Sequence, residues 1–468
     1  MVCGTTSGAG KSLLTTALAR YYARQGLRVA PFKGQNMSNN ARVVAGGEMG
    51  SAQYLQALAA RAVPEVRMNP VLLKPEGDTR SQVVLLGERN ERLARMEWRA
   101  RARELWPTVR DCLHQLLAAN DLVVIEGAGS PAEINLQDTD IVNLRLAQEA
   151  GAPTLMICDI DRGGAFAHLY GTTLLLPDAQ RALLRGFVLN KFRGDPRLLA
   201  PAPARLAQLT GVPVLGVLPL WREHGLPEED GVFEERTGGA GTTVAVVAYP
   251  RISNLDEFAP LRRIPQLALR WARSAAAVEA ADLVVLPGSK HVAEDLRWLR
   301  SQGLEPALRR HVAAGKPLLA VCGGLQMLGR AIEDPHGVEG AGEGLGILPL
   351  ATVYEPRKRC VRGRYAFGAL TGFWGSLSGV AFEGYEIRHG ATRAAGGAAS
   401  LSEVLPQGLG WQQGPVLALY THGMFEDAAV LRALFGAQVP TLEDTFEGLA
   451  DFVAAHLGTA TLDGLVPG

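Results

Sequence analysis

The segment Gly4-Thr5-Thr6-Ser7-Gly8-Ala9-Gly10-Lys11-Ser12 sets a lysine and a hydroxyl directly after a run of small residues. A loop of this kind, opening into a helix, turns successive backbone N–H groups and the helix N-terminus toward an anion. In that setting Lys11 reaches the terminal phosphates of a nucleotide and the Ser12 hydroxyl ligates Mg2+. Five residues separate Gly4 from Gly10, one more than in the strict G-x-x-x-x-G-K-[ST] pattern. The expected nucleotide contacts are Gly4, Thr5, Ser7, Gly10, Lys11 and Ser12. A plain capping turn accounts poorly for Gly-Lys-Ser at a strand–helix junction.

A second constellation lies more than three hundred residues downstream. The apolar run Leu318-Leu319-Ala320-Val321 leads into Cys322 and then Gly323-Gly324. A nucleophile needs such a tight strand-to-helix turn so that its sulfur projects and neighbouring N–H groups can hold an oxyanion. Tyr420-Thr421-His422-Gly423 supplies the expected base, His422. The alternative for Cys322 is a buried packing cysteine, common for this residue type, but the elbow, the glycine pair and the downstream histidine favour the nucleophile. A phosphate loop together with a Cys/His hydrolase implies ATP-driven activation of a carboxylate, with glutamine as the source of ammonia.

Further residues join the first site. Leu122-Val123-Val124-Ile125 is an apolar run that ends in Glu126, the usual place for a Mg2+ carboxylate. Asp159 and Asp161 follow another run, one near phosphate or substrate and the other capping the turn. Asn190, at the end of the next run, is placed to read a nucleotide base through its amide. Only seven of the 47 basic residues are lysine. Arginine suffices for solvated charge, so the lysines mark places that need a compact ammonium; Lys11, Lys33, Lys74 and Lys191 all fall in site-like segments.

The composition excludes several classes. Lys+Arg and Asp+Glu balance at 47 each, without the basic excess of a nucleic-acid binder. No apolar run approaches the ~18 residues of a membrane span. A glycine-rich loop stands where a signal peptide would have its apolar stretch, and five cysteines (3, 112, 158, 322 and 360) form no C-x-x-C pair or metal spacing, so a reduced, cytoplasmic protein is expected.

The elements that must position these residues alternate. Strands are expected at Val29–Phe32, Leu122–Ile125, 154–158, 186–189 and 214–217, with helices at about 12–24, 50–61, 97–119, 140–150 and 201–210. Such alternation builds a parallel sheet with helices on both faces. Only Met1-Val2-Cys3 precede the phosphate loop, so either the first strand is short or the natural start lies upstream. The stretch 226–243 is polar and then glycine-rich and reads as a linker. A second α/β series follows, with strands at 244–248, Leu283–Leu286 and Leu318–Val321, hairpin-like strands near 361–388 and 415–420, and a surface loop around 390–406. The expected architecture is two doubly wound α/β domains: 1–237, P-loop NTPase-like, and 243–468, glutamine-amidotransferase-like.

The longer strings carry a resemblance. Pro31-Phe32-Lys33-Gly34-Gln35-Asn36-Met37-Ser38-Asn39-Asn40, Met68-Asn69-Pro70-Val71-Leu72-Leu73-Lys74-Pro75, Ile125-Glu126-Gly127-Ala128-Gly129-Ser130-Pro131-Ala132-Glu133-Ile134-Asn135-Leu136 and Asn190-Lys191-Phe192-Arg193-Gly194-Asp195 resemble the adenosylcobyric acid synthase family from residue 1 to about 430. The five-residue spacing of the loop is similar to that of dethiobiotin synthetases. The resemblance implies ATP- and glutamine-dependent amidation of the b, d, e and g carboxylates of adenosylcobyrinic acid a,c-diamide in cobalamin biosynthesis, with no nucleic acid or membrane partner. It also implies oxyanion donors at Gly288 and Gly323, and Lys33 in the nucleotide site. Two departures are visible: Ala320 replaces the first glycine of G-x-C-x-G, and Met424 stands where better-known triads carry an acid, as in this branch. Glu426 lies nearby at a different offset. Gly384-Tyr385-Glu386-Ile387-Arg388-His389 resembles the family's G-Y-E-I-H, with arginine in the histidine position. Two alternatives stand beside this reading: a cobyrinic acid a,c-diamide synthase, which shares both halves, and a non-catalytic regulatory P-loop ATPase.

Overall fold

The structure, a computed structural model, describes residues 1–77, 80–227, 241–396 and 400–466. Packing divides the chain into two units. One comprises Met1–Ser38, Val44–Leu226 and Pro440–Gly468; the other comprises Asn39–Val43 and Pro227–Val439. This differs from the division expected from sequence at two places. The stretch Pro440–Gly468 belongs with the N-terminal unit, and Asn39–Val43 belongs with the C-terminal one. Most of the expected linker, 228–240, lies outside the described residues.

In the first unit four strands run parallel in the order Val2–Gly4, Thr154–Asp159, Leu184–Phe192, Val214–Pro219. Val29–Phe32 and Leu122–Ile125 pair in parallel beside them, and a bridge from Val2 to Glu126 joins the two sets. Nearly every residue of these strands up to Leu189 is buried, as expected of a sheet covered on both faces. The first strand is short, three residues, yet fully paired with 155–157. The helices Lys11–Arg24, Ser51–Ala59, Trp98–Ala119, Leu144–Ala150 and Ala202–Thr210 stand where the alternation expects them. The sequence reading missed the helix Ala165–Leu175 and the antiparallel pair Val71–Gly77 and Arg80–Leu85.

Chemistry explains why the C-terminal helix Leu442–Leu457 belongs here. Arg20 is fully buried and reaches Glu443 at 2.6 Å and Glu447 at 3.3 Å, while Tyr22 donates to the Leu462 carbonyl. Phe446, Leu449, Ala450 and Val453 complete the apolar seam against the helix Lys11–Arg24. Arg20 buried without those carboxylates would carry the desolvation cost of an unpaired charge.

The second unit holds a seven-stranded sheet in the order Leu267–Ala272, Thr242–Val247, Leu283–Leu286, Leu318–Val321, Val416–Leu419, Gly410–Gln413, Ser402–Leu405. The first five run parallel and the last two antiparallel. The strand Leu350–Ala366 pairs antiparallel with Ala381–Ala394 as a long ribbon. The surface loop expected at 390–406 is therefore mostly strand: Ala381–Ala394 runs through its start, Ser402–Leu405 forms a sheet edge, and 397–399 lie outside the described residues.

Candidate functional site

Gly8 and Gly10 have φ of 69° and 105°, so the loop turns through left-handed backbone before the helix begins at Lys11. A side chain at Gly10 would collide with Asn190 Nδ2. Lys11 Nζ donates to the Thr6 carbonyl at 3.0 Å and the Gly129 carbonyl at 3.2 Å. It therefore spans the loop and the stretch after Glu126, which is pinned by Asn143 accepting from Ala128 N and donating to Ala128 O.

Glu126 is fully buried. Its Oε1 accepts from Ser12 Oγ at 2.9 Å and Lys33 Nζ at 2.8 Å, and its Oε2 from Gln56 Nε2 at 2.5 Å. Burial works against its charge, but Lys33, Gln56 and Lys11 together hold the carboxyl below its usual range. Ser12 and Glu126 thus present two hard oxygen donors side by side, a set that fits Mg2+ completed by phosphate oxygens and water.

Three expected residues make contacts at the loop. Asn190 Nδ2 donates to the Ala9 carbonyl at 2.9 Å, so the amide braces the phosphate loop. Lys191, at φ 61°, does the same to Gly8 O at 2.8 Å and pairs with Asp159 at 3.2 Å. The Thr5 hydroxyl turns inward to Cys158 Sγ at 3.1 Å, leaving the backbone of Thr5 as its contribution to the loop. Gly4 packs on the Lys11 stem, and Ser7 is exposed. Asp161 pairs with Arg193, and Lys74 with Glu48.

In the second unit Cys322 has φ 51° and ψ −105°, a strained conformation for a non-glycine residue, directly before the helix Gly323–Leu328. Its N–H bonds to Leu419 O at 2.7 Å, which fixes the elbow to the adjacent strand. Side chains at Gly323 and Gly324 would collide with Ser289 N and Leu286 O. The two glycines let the turn close onto the Gly288-Ser289 segment, so both expected oxyanion positions stand at the same elbow. Gly288 also lies against His422, where an added Cβ would be 2.6 Å from Ser253 Oγ and 3.0 Å from His422 Cε1.

His422 is buried and hydrogen-bonds to the Cys322 side chain. Its Nδ1 lies 2.9 Å from Glu257 Oε1, and Glu257 Oε2 accepts from Gly423 N at 3.0 Å. Burial opposes a charge on the imidazole, but Glu257 and Cys322 outweigh it and raise its pKa to about 10. Glu257 is thus the third member of the site, and the sequence reading missed it. It precedes the histidine by 165 positions, in the 3-10 helix Leu255–Arg263, and the one local sign was an acidic pair, Asp256-Glu257, just after the Pro250–Asn254 turn. The pairing of Ile252 and Ser253 with Ser289 and Gly288 brings that helix to the elbow.

Glu426 does not hold His422. It accepts from Arg42 at 2.5 Å. His389 Nδ1 contacts Glu355 O at 3.1 Å. Burial pushes the Cys3 and Cys112 thiols up to about 12 and 11, in keeping with packing roles. No helix among the described residues is long and apolar enough to cross a membrane.

The family described as a CobQ/CobB/MinD/ParA nucleotide binding domain matches residues 1–227, and that described as a CobB/CobQ-like glutamine amidotransferase domain matches residues 243–430. Cobyric acid synthase of Variovorax paradoxus is 63% identical over 100% of this chain and 98% of its own length. Those of Polaromonas naphthalenivorans and of Acidovorax sp. (strain JS42) are 59% and 60% identical, over 100% and 99% of this chain and 99% and 97% of their own lengths. The chain belongs to the cobyric acid synthase family, and its two halves are α/β domains of the nucleotide-binding and amidotransferase kinds.

Proposed function

We propose that the two halves of this chain divide one amidation between them, with carboxylate activation at Lys11, Ser12 and Glu126 and ammonia release at Cys322, His422 and Glu257. The enzyme is a glutamine-dependent amide ligase of cobalamin biosynthesis that uses ATP and acts on small molecules. The observation that carries the finer reading is the Cys322–His422–Glu257 line on a strained elbow in a chain that also holds a phosphate loop.

In the first half a carboxylate oxygen of the corrin attacks the γ-phosphorus, ADP departs and an acyl phosphate forms. Lys11 neutralises charge on the transferring phosphoryl group. Mg2+ held by Ser12 Oγ and Glu126 would offset charge on the ATP oxygens. Lys33 and Gln56 keep Glu126 ionised and aimed at Ser12. The acyl phosphate supplies the leaving group that a bare carboxylate lacks.

In the second half the Cys322 sulfur attacks the glutamine side-chain carbonyl. The backbone N–H groups at Gly288 and Gly323 would hold the oxyanion. His422, charged at neutral pH beside Glu257, hands its proton to the departing ammonia. Water then cleaves the thioester to glutamate, and ammonia displaces phosphate from the acyl phosphate. The substrate is adenosylcobyrinic acid a,c-diamide, amidated at its b, d, e and g carboxylates, in the cytoplasm and without nucleic acid.

The test is product mass after incubation of the full chain with ATP, the corrin diamide and either glutamine or ammonium. Cys322→Ser abolishes glutamine-dependent amidation and leaves ammonium-dependent amidation within a few-fold, whereas Lys11→Ala loses both. Loss of both activities in folded Cys322→Ser would overturn the division. A product carrying only the a and c amides, formed from the diamide's precursor, would favour the sister synthase.

A further inference from the structure

The amidotransferase match begins at residue 243, yet a residue from far upstream lies against the tyrosine that stacks on His422. Asn39–Val43 packs as part of the second unit, while the chain on both sides of it, through Ser38 and from Val44, belongs to the first. Two reciprocal bonds fix the segment: Ala41 N donates to Asn254 Oδ1 at 3.1 Å, and Leu255 N donates to Asn40 Oδ1 at 3.2 Å. These two contacts sit at the start of the helix Leu255–Arg263 that carries Glu257.

Arg42 is then drawn inside. Its guanidinium is 2.7 Å from Asp256 and 2.5 Å from Glu426, donates to the Tyr385 hydroxyl, and lies 5.0 Å from the centre of the Tyr385 ring. Tyr385 stacks on His422, with ring centres 5.3 Å apart and planes 16° apart, and its backbone exchanges hydrogen bonds with that of His422 at 2.9 and 3.3 Å. Asp256 is the neighbour of Glu257. Arg42 thus grips both supports of the imidazole: the ring stacked on it and, one residue removed, the carboxylate bonded to Nδ1.

We propose that Arg42 is a positioning residue of the glutaminase, fixing the plane of His422 through Tyr385 and through the Asp256-Glu257 helix, so that residues 243–430 alone are an incomplete site. This rests on the reading of Cys322 and His422 as the glutaminase pair. The chemistry at Cys322 requires His422 to face the sulfur on one side and Glu257 on the other. A misplacement of about 1 Å in such a constellation costs on the order of 100-fold in rate. A guanidinium is suited to this post because its planar fork serves two carboxylates and a ring face together, which an ammonium cannot.

The experiment measures glutamine hydrolysis by the full chain, with kcat and KM separated, and ammonium-dependent amidation in parallel. Arg42→Met is expected to lower glutaminase kcat by about 10- to 100-fold, with KM for glutamine and ammonium-dependent amidation each changed less than about threefold. Arg42→Lys restores part of kcat. Tyr385→Phe keeps the ring stacked on His422 but removes the hydroxyl, and its loss is smaller and not additive with Arg42→Met, because both act through one contact. An unchanged kcat in Arg42→Met, with Cys322→Ser inactive in the same assay, would overturn the proposal while leaving the glutaminase reading intact. Full glutaminase activity in Cys322→Ser would instead remove the reading on which it rests. If Arg42→Met loses ammonium-dependent amidation as well, the Arg42→Lys and Tyr385→Phe pair decides, and wild-type kcat in both would equally refute the positioning role.

Discussion

Glu257→Gln replaces one oxygen by nitrogen and keeps the side chain's shape, so what it changes is charge and hydrogen-bond direction. Glu257 accepts on both oxygens, from the His422 Nδ1 side at 2.9 Å and from Gly423 N at 3.0 Å. Glutamine can accept on one side only. If its oxygen stays on Gly423, its NH2 faces Nδ1 and forces the neutral imidazole with the proton on the other nitrogen. If the amide flips, its NH2 meets the Gly423 N–H, and a buried donor is left unpaired, a cost of about 1–3 kcal/mol. The charge matters as well. The rise in His422 pKa from 6.5 to about 10 corresponds to roughly 5 kcal/mol favouring the imidazolium, and Glu257 is the leading contributor with Cys322 second. Glu257→Gln therefore lowers the His422 pKa and favours the wrong tautomer, the fault that costs about 10,000-fold in kcat when a triad carboxylate becomes an amide. Expected, then, is a glutaminase kcat lowered on the order of 100- to 10,000-fold, with ammonium-dependent amidation unchanged within a few-fold. The assay is glutamate release under saturating glutamine, beside product mass with ammonium. A kcat within a factor of about three of wild type would refute the argument that Glu257 charges and orients His422.

Two more outcomes follow from the same geometry. Gly288→Ala puts a methyl 2.6 Å from Ser253 Oγ and 3.0 Å from His422 Cε1, so glutamine hydrolysis should fall at least about tenfold while ammonium-dependent amidation persists; wild-type glutaminase activity would show the elbow to be looser than it stands. The pH dependence of stability has a defined window. His422 is raised in the folded state, so its contribution is whole below about pH 6.5 and is lost as pH rises toward 10. Asp295, fully buried and accepting from Ser289 Oγ at 2.6 Å, is raised by its burial to about 6 and loses its contribution earlier, as pH climbs from the usual carboxylate range to that value. Thermal melts should therefore show wild type losing stability between pH 7 and 10, and His422→Gln losing distinctly less; parallel curves would show that His422 is not charged in the fold.

Local chemistry was legible in the sequence and distant pairing was not. The phosphate loop, the Cys322 elbow and His422 were visible because each is fixed by its immediate neighbours: glycines for the turn, an apolar run for the strand, a hydroxyl beside a lysine. Glu126 was visible because it ends a strand that must lie beside the loop in a parallel α/β sheet. Glu257 was not, since nothing near it in the chain requires an acid. Its role arises when Ile252-Ser253 pairs with Gly288-Ser289, a contact that neither segment's composition announces. Met424 gave the complementary hint, for a histidine without the usual downstream acid needs another partner, and Glu426, nearby at a different offset, is taken by Arg42. The C-terminal helix shows the same limit. Leu442–Leu457 carries an amphipathic pattern that fits either unit, and the buried charge of Arg20, which must find Glu443 and Glu447, is the chemical reason it joins the first. Buried charge is therefore the feature that sets long-range organisation here. Arg20, Arg42, Lys33 and Glu126 each lie inside the protein, each has to be answered by an opposite charge far away in sequence, and those answers seat the C-terminal helix on the first unit, hold Glu126 at the phosphate loop and draw Arg42 in beside Asp256.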